Sequence, residues 1–407
     1  MVLPSSIGLS LLFALAGRTY GASISTAWYA SWHATSGFPL ESVPWSKYTQ
    51  LTYAFAETTP DTGALSLTVN GDTPETDLLT NFVTMAHQHN VKAAVSIGGW
   101  TGSRFFSTAV DSAQNRTTFV KTVTDLATKF NLDGIDFDWE YPGVQGIGCN
   151  TINEQEDTNN FLLFLQELRQ DPVGSKLILS AATSTRPYQI SKQPLSGFSE
   201  VLDFIAIMNY DIWGSWSPSV GPNAPLDDTC ASSDKQVGSA VSAVKAWTNA
   251  GFPIDQIVLG VAGYGHSFTV TPEAAFEADG KTLAAYPSFD ASKPPQGDRW
   301  DDGAGPDVCG VQQHAGGNFN FWGLIEEGFL DAAGNPNEGI ASKFDECSQT
   351  PYVYNQNSHI MVSFDNARSF AAKGEFIRAN GLAGFAMWEA GGDSDDILLD
   401  AIRSTAF

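Results

Sequence analysis

Short apolar segments alternate along the chain with longer segments in which apolar residues recur at helical spacing. Short apolar runs bounded by turn residues are typical of buried strands, and apolar positions three and four residues apart are typical of amphipathic helices. The predicted strands are Ser25–Trp32, Leu51–Ala56, Lys92–Ile97, Gly134–Glu140, Lys176–Ala182, Phe204–Tyr210, Ile257–Val261 and Gly384–Trp388. The predicted helices are Asp77–Gln88, Arg116–Phe130, Glu156–Gln170, Lys235–Ala250 and Asn366–Asn380. This order predicts an α/β fold, a (β/α)8 TIM barrel rather than an open sheet.

The βα alternation breaks once, between the seventh and eighth predicted strands. From Phe268 to about Tyr354 the chain carries clusters of Gly, Pro, Asn and Asp and shows no clear βα unit. Such a segment is too long for an ordinary loop. We therefore expect a small α+β insertion domain at 269–354 and a barrel made of 23–268 and 355–407.

The N-terminal residues 1–22 have the pattern of a secretory signal peptide. An apolar stretch from Ile7 to Ala16 is followed by the small residues Gly21, Ala22 and Ser23. No later apolar run is long enough to span a membrane. We therefore expect a secreted, extracellular protein.

Composition and charge narrow the choice of partners. The 407 residues are 43% hydrophobic and 12% aromatic, which is enough to build a large core. With 21 basic and 45 acidic residues, the net charge of −24 argues against nucleic acid and anionic membranes as partners. The composition suits a soluble protein, expected to be a monomer, that acts on a neutral polymer.

The cysteine pattern indicates disulfides rather than a metal site. Four cysteines in a secreted chain predict two disulfides, for which three pairings exist, and no CxxC spacing suggests zinc. Cys309 and Cys347 lie in the insertion, whereas Cys149 and Cys230 lie in loops that share one face of the barrel. The expected pairs are therefore Cys149–Cys230 and Cys309–Cys347. The sequon at Asn115 predicts N-glycosylation.

The candidate chemistry is concentrated in the fourth predicted strand and the residues that flank it, 132–143. Side chains alternate along a strand, so its two faces are Asp136, Asp138 and Glu140 on one side and Ile135, Phe137 and Trp139 on the other. No Lys or Arg between Asn131 and Glu167 neutralises the acids. Crowded carboxylates share protons, and a carboxyl group that stays protonated near neutral pH can act as a general acid.

The segment Asp-Gly-Ile-Asp-Phe-Asp-Trp-Glu, 133–140, resembles the catalytic strand of glycoside hydrolase family 18, the chitinases. The segment 96–100, Ser-Ile-Gly-Gly-Trp, is similar to the family's third-strand motif, and Met-Asn-Tyr-Asp at 208–211 is similar to its sixth-strand motif. The insertion resembles the chitinase insertion domain, which forms one wall of a deep cleft in part of the family. The resemblance covers nearly the whole chain after residue 22.

The resemblance implies a retaining mechanism assisted by the substrate, without cofactor or metal. Glu140 would protonate the glycosidic oxygen, and the N-acetyl carbonyl of the substrate would attack the anomeric carbon to give an oxazolinium intermediate. Asp138 would orient the acetamido group, Asp136 would share a proton with Asp138, and Tyr210 would contact the acetamido oxygen. Asp133, at the start of the motif, is predicted to be structural.

The resemblance also implies an aromatic lining for the sugar chain, because the apolar faces of sugars stack on aromatic rings. The implied substrate-binding residues are Trp388, Trp100, Asp211, Met208, Trp216, Trp32, Phe55 and Tyr264. The chain departs from the family pattern at two places. Ala27-Trp28 stands where Gly-Tyr is usual, and Tyr264-Gly265-His266 stands where Tyr-Gly-Arg is usual.

Three functions are compatible with these features. A secreted chitinase that binds chitin and chitooligosaccharides fits best, since the implied chemistry requires a 2-acetamido group. An endo-β-N-acetylglucosaminidase acting on N-glycans shares the acids but generally has a more open cleft. A chitin-binding lectin without catalytic activity typically lacks the catalytic acid, whereas Glu140, Asp138 and Tyr210 are all present here.

Overall fold

A computed structural model of the chain describes residues 24–67, 76–188 and 195–407. The predicted signal peptide at 1–22 lies outside these residues. Within them, no helix is both long and apolar enough to cross a membrane.

Eight parallel strands form a closed barrel. They are β1 Ile24–Ala30, β2 Gln50–Thr58, β3 Lys92–Gly98, β4 Gly134–Asp138, β5 Ile178–Thr183, β6 Phe204–Ile207, β7 Ile257–Ala262 and β8 Gly384–Trp388. Each strand pairs in parallel with its neighbour in the chain, and β1 also pairs with β8, which closes the ring. The predicted (β/α)8 barrel is confirmed.

Amphipathic helices surround the barrel and bury their apolar faces against it. They are α1 Thr76–Gln88, α2 Ala113–Phe130, α3 Asp157–Gln170, α4 Ser196–Val201, α5 Ala240–Asn249, α6 Ala367–Asn380 and α7 Ile397–Ala406. Capping residues mark several ends: the Ser112 side chain accepts a hydrogen bond from Asn115 N at the start of α2. Asn131 ends α2 in the left-handed conformation, and Gly381 ends α6 in the same way.

The remaining elements are short. The shorter α-helices are Gly99–Gly102, Phe106–Val110, Pro272–Ala275 and Phe321–Glu326. The 3₁₀ turns are Ser31–His33, Leu40–Ser42, Trp45–Lys47, Ser103–Phe105, Gly174–Lys176, Ser233–Lys235 and Ile254–Gln256. Two-residue strands occur at Leu65–Ser66, Gly305–Pro306 and Gln312–Gln313.

The apolar core has two parts with different compositions. A large cluster fills the layer between the strands and the helices and includes Phe137, Trp139, Phe161 and Phe164. A smaller cluster fills the barrel interior; most of its members are Ala or Val, and its larger members are Trp28, Phe55 and Phe204. Small interior residues leave room for polar side chains at the C-terminal ends of the strands, where the active sites of such barrels lie.

The segment between β7 and β8 contains a five-stranded antiparallel sheet. Its strands, in spatial order, are Asn318–Asn320, Tyr264–Thr269, Ile360–Ser363, Thr350–Asn355 and Ala341–Asp345. The sheet begins two residues after β7 ends, so the chain passes from barrel to insertion almost without a linker. Its outer limits, 264 and 363, lie beyond the predicted boundaries of 269 and 354.

The predicted disulfides Cys149–Cys230 and Cys309–Cys347 are wrong, because the bonds are Cys149–Cys309 and Cys230–Cys347. The prediction assumed that the insertion pairs its own cysteines. Instead the insertion packs against the barrel loops, and Leu226 N donates to Ser348 O at 2.9 Å, which brings the loop after β6 beside Cys347. Both disulfides therefore join the insertion to the barrel.

The predicted glycosylation site lies in the first turn of α2. The Asn115 side-chain nitrogen, which would carry the glycan, donates to Thr108 O and to Asp111 Oδ1, each at 2.9 Å. A glycan on this nitrogen would require these hydrogen bonds to rearrange. Glycosylation of Asn115 stays a prediction.

Candidate active site

Asp136 lies at the centre of a polar layer inside the barrel. It accepts hydrogen bonds from Trp28 Nε1 at 3.0 Å, from Ser96 Oγ at 2.8 Å and from Ser180 Oγ at 2.7 Å. The strand register causes this layer, because Ser96, Asp136 and Ser180 occupy matched positions on β3, β4 and β5. Burial raises the pKa of Asp136, and the three donors oppose that rise by stabilising the carboxylate.

Asp138 lies one layer higher and has a different environment. It is only 4% exposed, and within the described residues its Oδ1 has no hydrogen-bond partner. Burial raises the pKa of Asp138 well above its usual range, and the nearby charges of Glu140 and Asp136 raise it further. Leaving a buried polar atom without a hydrogen-bond partner costs folding free energy. A hydrogen-bond donor from outside the chain would remove that cost at this oxygen.

Glu140 lies two residues beyond the end of β4, not within the strand as predicted. Ser103 Oγ holds the departing backbone by donating to Asp138 O at 2.8 Å and accepting from Glu140 N at 2.9 Å. Asn150 Nδ2 donates to Glu140 O at 2.9 Å. Burial raises the pKa of Glu140 to about 7; the Asp211 charge adds to the rise, and a hydrogen bond with the Tyr141 side chain opposes it. This carboxyl is thus poised for proton transfer near neutral pH.

Two glycines allow β3 to approach the acidic strand. A Cβ on Gly98 would lie 2.2 Å from Asp138 O, and a Cβ on Gly99 would lie 2.7 Å from the Phe55 ring. Both residues also have positive φ, which suits glycine. The backbone of β3 therefore lies directly against the acidic strand and the Phe55 ring at this pair, and Trp100 follows it directly.

The residues that follow β6 form the second side of the site. Strand β6 ends at Ile207, so Met208 and Tyr210 lie beyond it and not within it as predicted. Tyr210 is buried against Ala224 and Ala262, with Met208 and Trp388 packed on the same cluster. Burial raises the pKa of the Tyr210 hydroxyl, and the Asp138 and Asp211 charges raise it further, so the phenol stays protonated as a hydrogen-bond donor.

Asp211 joins the loop after β6 to the first strand of the insertion sheet. Its Oδ1 accepts from the Tyr264 hydroxyl at 2.6 Å and lies 2.7 Å from His266 Nε2. Its backbone has φ 56°, and its N–H donates to Asn223 Oδ1 at 2.9 Å. Although the carboxylate is held on one oxygen, its side chain remains 47% exposed toward solvent.

Three of the predicted aromatic residues form one continuous surface. The Phe55 ring is stacked on Trp388 with ring centres 5.7 Å apart, and the Trp32 ring is stacked on Phe55 at 6.1 Å. Trp32 and Trp388 are 6.3 Å apart. Such a surface matches the apolar face of a row of sugar rings.

Trp100 and Trp216 are separate from that surface and are the most exposed of the predicted aromatics. Trp100 is 49% exposed and Trp216 is 62% exposed, which is unusual for such large apolar side chains. The Trp216 ring contacts His266 edge-on at 5.3 Å, which places it near Asp211. Since single exposed apolar side chains are common on protein surfaces, the position of Trp216 beside Asp211 and of Trp100 after Gly99, rather than exposure alone, makes them candidates for ligand binding.

Sequence reasoning assigned no role to several residues that shape the site. Ser96, Ser180 and Ser103 bind the acidic strand, and Trp28 was noted only as a departure from the family pattern. A signal for two of them existed, because Ser96 and Ser180 are polar residues within otherwise apolar strands.

A second missed group lies beside Trp388. Glu389 is buried, its Oε1 lies 2.7 Å from His33 Nδ1, and its Oε2 accepts from Ala30 N at 3.2 Å. These contacts join the end of β8 to the end of β1, where Trp388 and Trp32 lie. The part of the chain that is described contains no group of three His, Cys, Asp or Glu residues suited to a metal ion.

Comparison with protein families agrees with this geometry. The sequence profile described as Glycosyl hydrolases family 18 matches residues 25–393. A protein named "chitinase-like effector" from Moniliophthora roreri is 52% identical, over 100% of this chain and 98% of its own length. Chitinase A1 of Niallia circulans is 28% identical over 77% of this chain and 42% of its own length.

Solved structures show the same fold. A chitinase from Rhizomucor miehei superimposes with a TM-score of 0.82 and 30% sequence identity, and the match covers 94% of this chain and 99% of that one. A GH18 chitinase from Cycas revoluta in complex with (GlcNAc)3 superimposes with a TM-score of 0.71 and 22% identity, over 94% of this chain and 99% of that one.

Proposed function

The chain belongs to glycosyl hydrolase family 18, and we propose that it is a secreted chitinase that cleaves the β-1,4 bonds between N-acetylglucosamine units with retention of configuration. Several relatives of this chain are named chitinases, and solved structures of similar fold are chitinases, one of them in complex with (GlcNAc)3. The finer proposal, that this chain itself turns over chitin, rests on its own side chains.

One observation carries the proposal. Asp138 Oδ1 is buried and has no hydrogen-bond partner within the described residues. In the motif, Asp136 lies two residues before Asp138 and Glu140 two residues after it. A donor from a bound ligand would satisfy this oxygen. The acetamido N–H of an N-acetylglucosamine unit is such a donor. Its carbonyl oxygen would then be oriented toward the anomeric carbon of the same sugar.

The proposed reaction begins with Glu140 as general acid. Its raised pKa, about 7, keeps it protonated in mildly acidic and neutral solution, so it can protonate the leaving glycosidic oxygen. The acetamido oxygen of the same substrate attacks the anomeric carbon as the glycosidic bond breaks, which gives an oxazolinium ion. The ionised Glu140 then removes a proton from the water that opens this ion, and the retained β-anomer is released.

Asp136 supports the reaction by its effect on Asp138. Three donors stabilise negative charge on Asp136, whereas Asp138 Oδ1 has no donor within the described residues, so a proton shared between the two acids favours Asp138 at first. When positive charge develops on the oxazolinium ring, the shared proton passes to Asp136, and the ionised Asp138 stabilises the ring. The Tyr210 hydroxyl donates to the acetamido oxygen, and this contact steadies the nucleophile.

The aromatic residues bind the sugar chain on both sides of the reacting bond. The stacked surface of Trp32, Phe55 and Trp388 holds the non-reducing side, with Trp388 beneath the reacting sugar. Trp216 and Trp100 hold the leaving side, and Met208, Tyr264 and Asp211 complete the central sugar site. This division explains why the surface is continuous on one side and consists of separate exposed rings on the other.

The test compares hydrolysis of colloidal chitin and of a high-mannose glycopeptide, measured as released reducing sugar. The proposal predicts cleavage of chitin and no cleavage of the glycopeptide. Loss of activity in Glu140→Gln, by at least about 10²-fold, would show that the observed activity belongs to this site. Cleavage of the glycopeptide alone would favour the N-glycan hydrolase, and tight binding of chitin without cleavage would favour a lectin.

The stereochemistry of the first product tests the mechanism separately. The acetamido group attacks one face of the anomeric carbon, and water then attacks the opposite face. Two inversions retain the configuration, so the β-anomer must appear first. Proton NMR recorded during cleavage of chitooligosaccharide would detect it before mutarotation. Initial release of the α-anomer would refute the substrate-assisted route.

A further inference from the structure

A long hairpin leaves the insertion and ends at a disulfide with the barrel. We call residues 302–316 the insertion hairpin. Its base is closed by a hydrogen bond from Gly316 N to Asp302 O at 3.0 Å, and its short strands are Gly305–Pro306 and Gln312–Gln313. Cys309 at its tip is bonded to Cys149, which lies in the loop that follows β4 and Glu140.

The hairpin packs little onto the body of the protein, whereas the loop 143–149 lies against the end of β4: Gly143 N donates to Asp157 Oδ2 at 3.2 Å, and a Cβ on Gly146 would lie 2.1 Å from Glu140 O. No residue from 302 to 314 is buried, and none from 143 to 149 is buried. Exposed apolar side chains occur on both segments: Val308 is 44% exposed, Val311 54% and Val144 57%. With none of its residues from 302 to 314 buried, the hairpin projects from the body of the protein to reach this loop.

The two ends of the connection are fixed at distant points of the barrel rim. On the insertion side, Trp300 Nε1 donates to Ser36 O at 2.9 Å and its ring stacks on His33 at 3.7 Å, in the loop after β1. On the other side, Thr151 N donates to Arg104 O at 2.9 Å, which anchors the Cys149 loop to the loop after β3.

Strands β1 and β4 are three positions apart in a ring of eight, so a connection between their loops is a chord across the mouth of the barrel. Each arm of the hairpin can reach roughly 20 Å at about 3.3 Å per residue. The interior of an eight-stranded barrel is only wide enough for side chains, so this reach is sufficient to cross it.

The geometry points to a covalent bridge over the sugar-binding cleft, formed by the insertion hairpin and the loop 141–149 and closed by Cys149–Cys309. This inference rests on the proposed function. A sugar chain could then reach Asp138 and Glu140 only by threading an end beneath the bridge. The preferred ligands would be chain ends and soluble chitooligosaccharides, and the interior of a long or substituted chitin chain would be excluded.

Binding to doubly blocked ligands tests the bridge without any need for turnover. The Glu140→Gln variant would be titrated by calorimetry with a chitin hexamer that carries a biotin–streptavidin group at one end or at both ends. The bridged protein should bind the doubly blocked hexamer at least about tenfold more weakly than the singly blocked one, because neither end can pass. Adding Cys149→Ser and Cys309→Ser should bring the two affinities together.

A matched control removes the other disulfide, with Cys230→Ser and Cys347→Ser, and should preserve the discrimination. If the double Cys149/Cys309 variant unfolds in circular dichroism, a second variant with 304–314 deleted and Cys149→Ser replaces it. Equal affinity of the bridged protein for both hexamers, or the same loss of discrimination in the control, would overturn the bridge.

These outcomes are distinct from failure of the proposed function. If the unmodified chain discriminates between the two hexamers but cleaves no chitin, the chitinase proposal fails and the bridge stands. If it cleaves chitin but binds both hexamers equally, the bridge fails and the chitinase proposal stands. Absence of binding to either hexamer would refute the bridge, and the chitin assay would decide the chitinase proposal by itself.

Discussion

The indole Nε1 of Trp28 donates a 3.0 Å hydrogen bond to Oδ2 of Asp136, across the barrel interior from β1 to β4. Both residues are buried, at 3% and 2% exposure. The tryptophan that departs from the usual first-strand pattern of the family therefore supplies one of the three donors to the lowest acid of the site. Its position suggests a direct effect on the protonation of the acidic strand.

Trp28→Phe should lower turnover with little change in KM. Removing the donor raises the pKa of Asp136 further, so the carboxylate is protonated at a higher pH. The acid limb of the kcat/KM profile should then move to higher pH, and stability should fall by about 1–3 kcal/mol. Trp45→Phe is the matched control, because its indole donates to the neutral carbonyl Leu40 O and should leave the pH profile unchanged. Equal profiles for both variants would contradict this role of Trp28.

The activity should decline as the pH rises through about 7. Glu140 has a pKa of about 7, raised first by burial, and only its protonated form can act as the general acid. A plot of kcat/KM against pH on a soluble chitooligosaccharide would report this alkaline limb for the free enzyme. A profile that stays flat to pH 9 would mean that Glu140 does not supply the proton.

Glu140→Gln should stabilise the fold at pH 7.5 while abolishing turnover. The pKa of Glu140 is about 7 in the native state and about 4.3 in the unfolded state. Between these pH values the native state binds more protons than the unfolded state, so the free energy of unfolding falls as the pH rises from about 4.3 to about 7. Because Gln does not titrate, the variant does not lose this stability as the pH rises. Allowing for partial exposure of the side chain, we expect a gain of about 1–2 kcal/mol at pH 7.5 and almost none at pH 4. Urea denaturation at both pH values would measure it, and a gain independent of pH would point to another cause.

His266→Arg and His266→Gln should move the alkaline limb differently. His266 Nε2 lies 2.7 Å from Asp211 Oδ1, and the Asp211 charge raises the pKa of Glu140. A permanent positive charge from Arg would offset Asp211, lower the pKa of Glu140 and shift the limb to lower pH. Gln can keep a hydrogen bond without charge and should not produce this shift. If the alkaline limb shifted equally in both variants, the shift would result from changed packing and not from charge.

Trp216→Ala should weaken binding of chitooligosaccharides that extend to the leaving side. The ring is 62% exposed and contacts His266 at its edge, so its removal leaves little cavity. We expect KM for a hexamer to rise by about tenfold, consistent with loss of one stacking platform, with kcat nearly unchanged. Phe407→Ala, an exposed aromatic at the chain end, serves as the control. A fall in kcat without a change in KM would place Trp216 outside the binding surface.

Much of this protein could be predicted from local sequence patterns. The eight strands and five helices lie close to their predicted positions, because periodicity in apolar residues reflects burial along a single element. The predicted helix Asn366–Asn380, for example, is present as Ala367–Asn380 with Asn366 as its N-cap. Asp136 and Asp138 were visible for the same reason, since alternation along one strand is encoded locally, whereas Glu140 lies just beyond the end of that strand.

The tertiary structure decided which distant groups meet. Ser96, Asp136 and Ser180 form one layer only because of the register among three strands, and Trp28 reaches Asp136 from a position 108 residues away. Cys309 is bonded to Cys149 across 160 residues because the insertion hairpin crosses to the barrel instead of folding back on its own domain. Periodicity in a sequence reports the environment along one element, whereas pairing between elements depends on how the whole chain packs, and no local pattern contains that information.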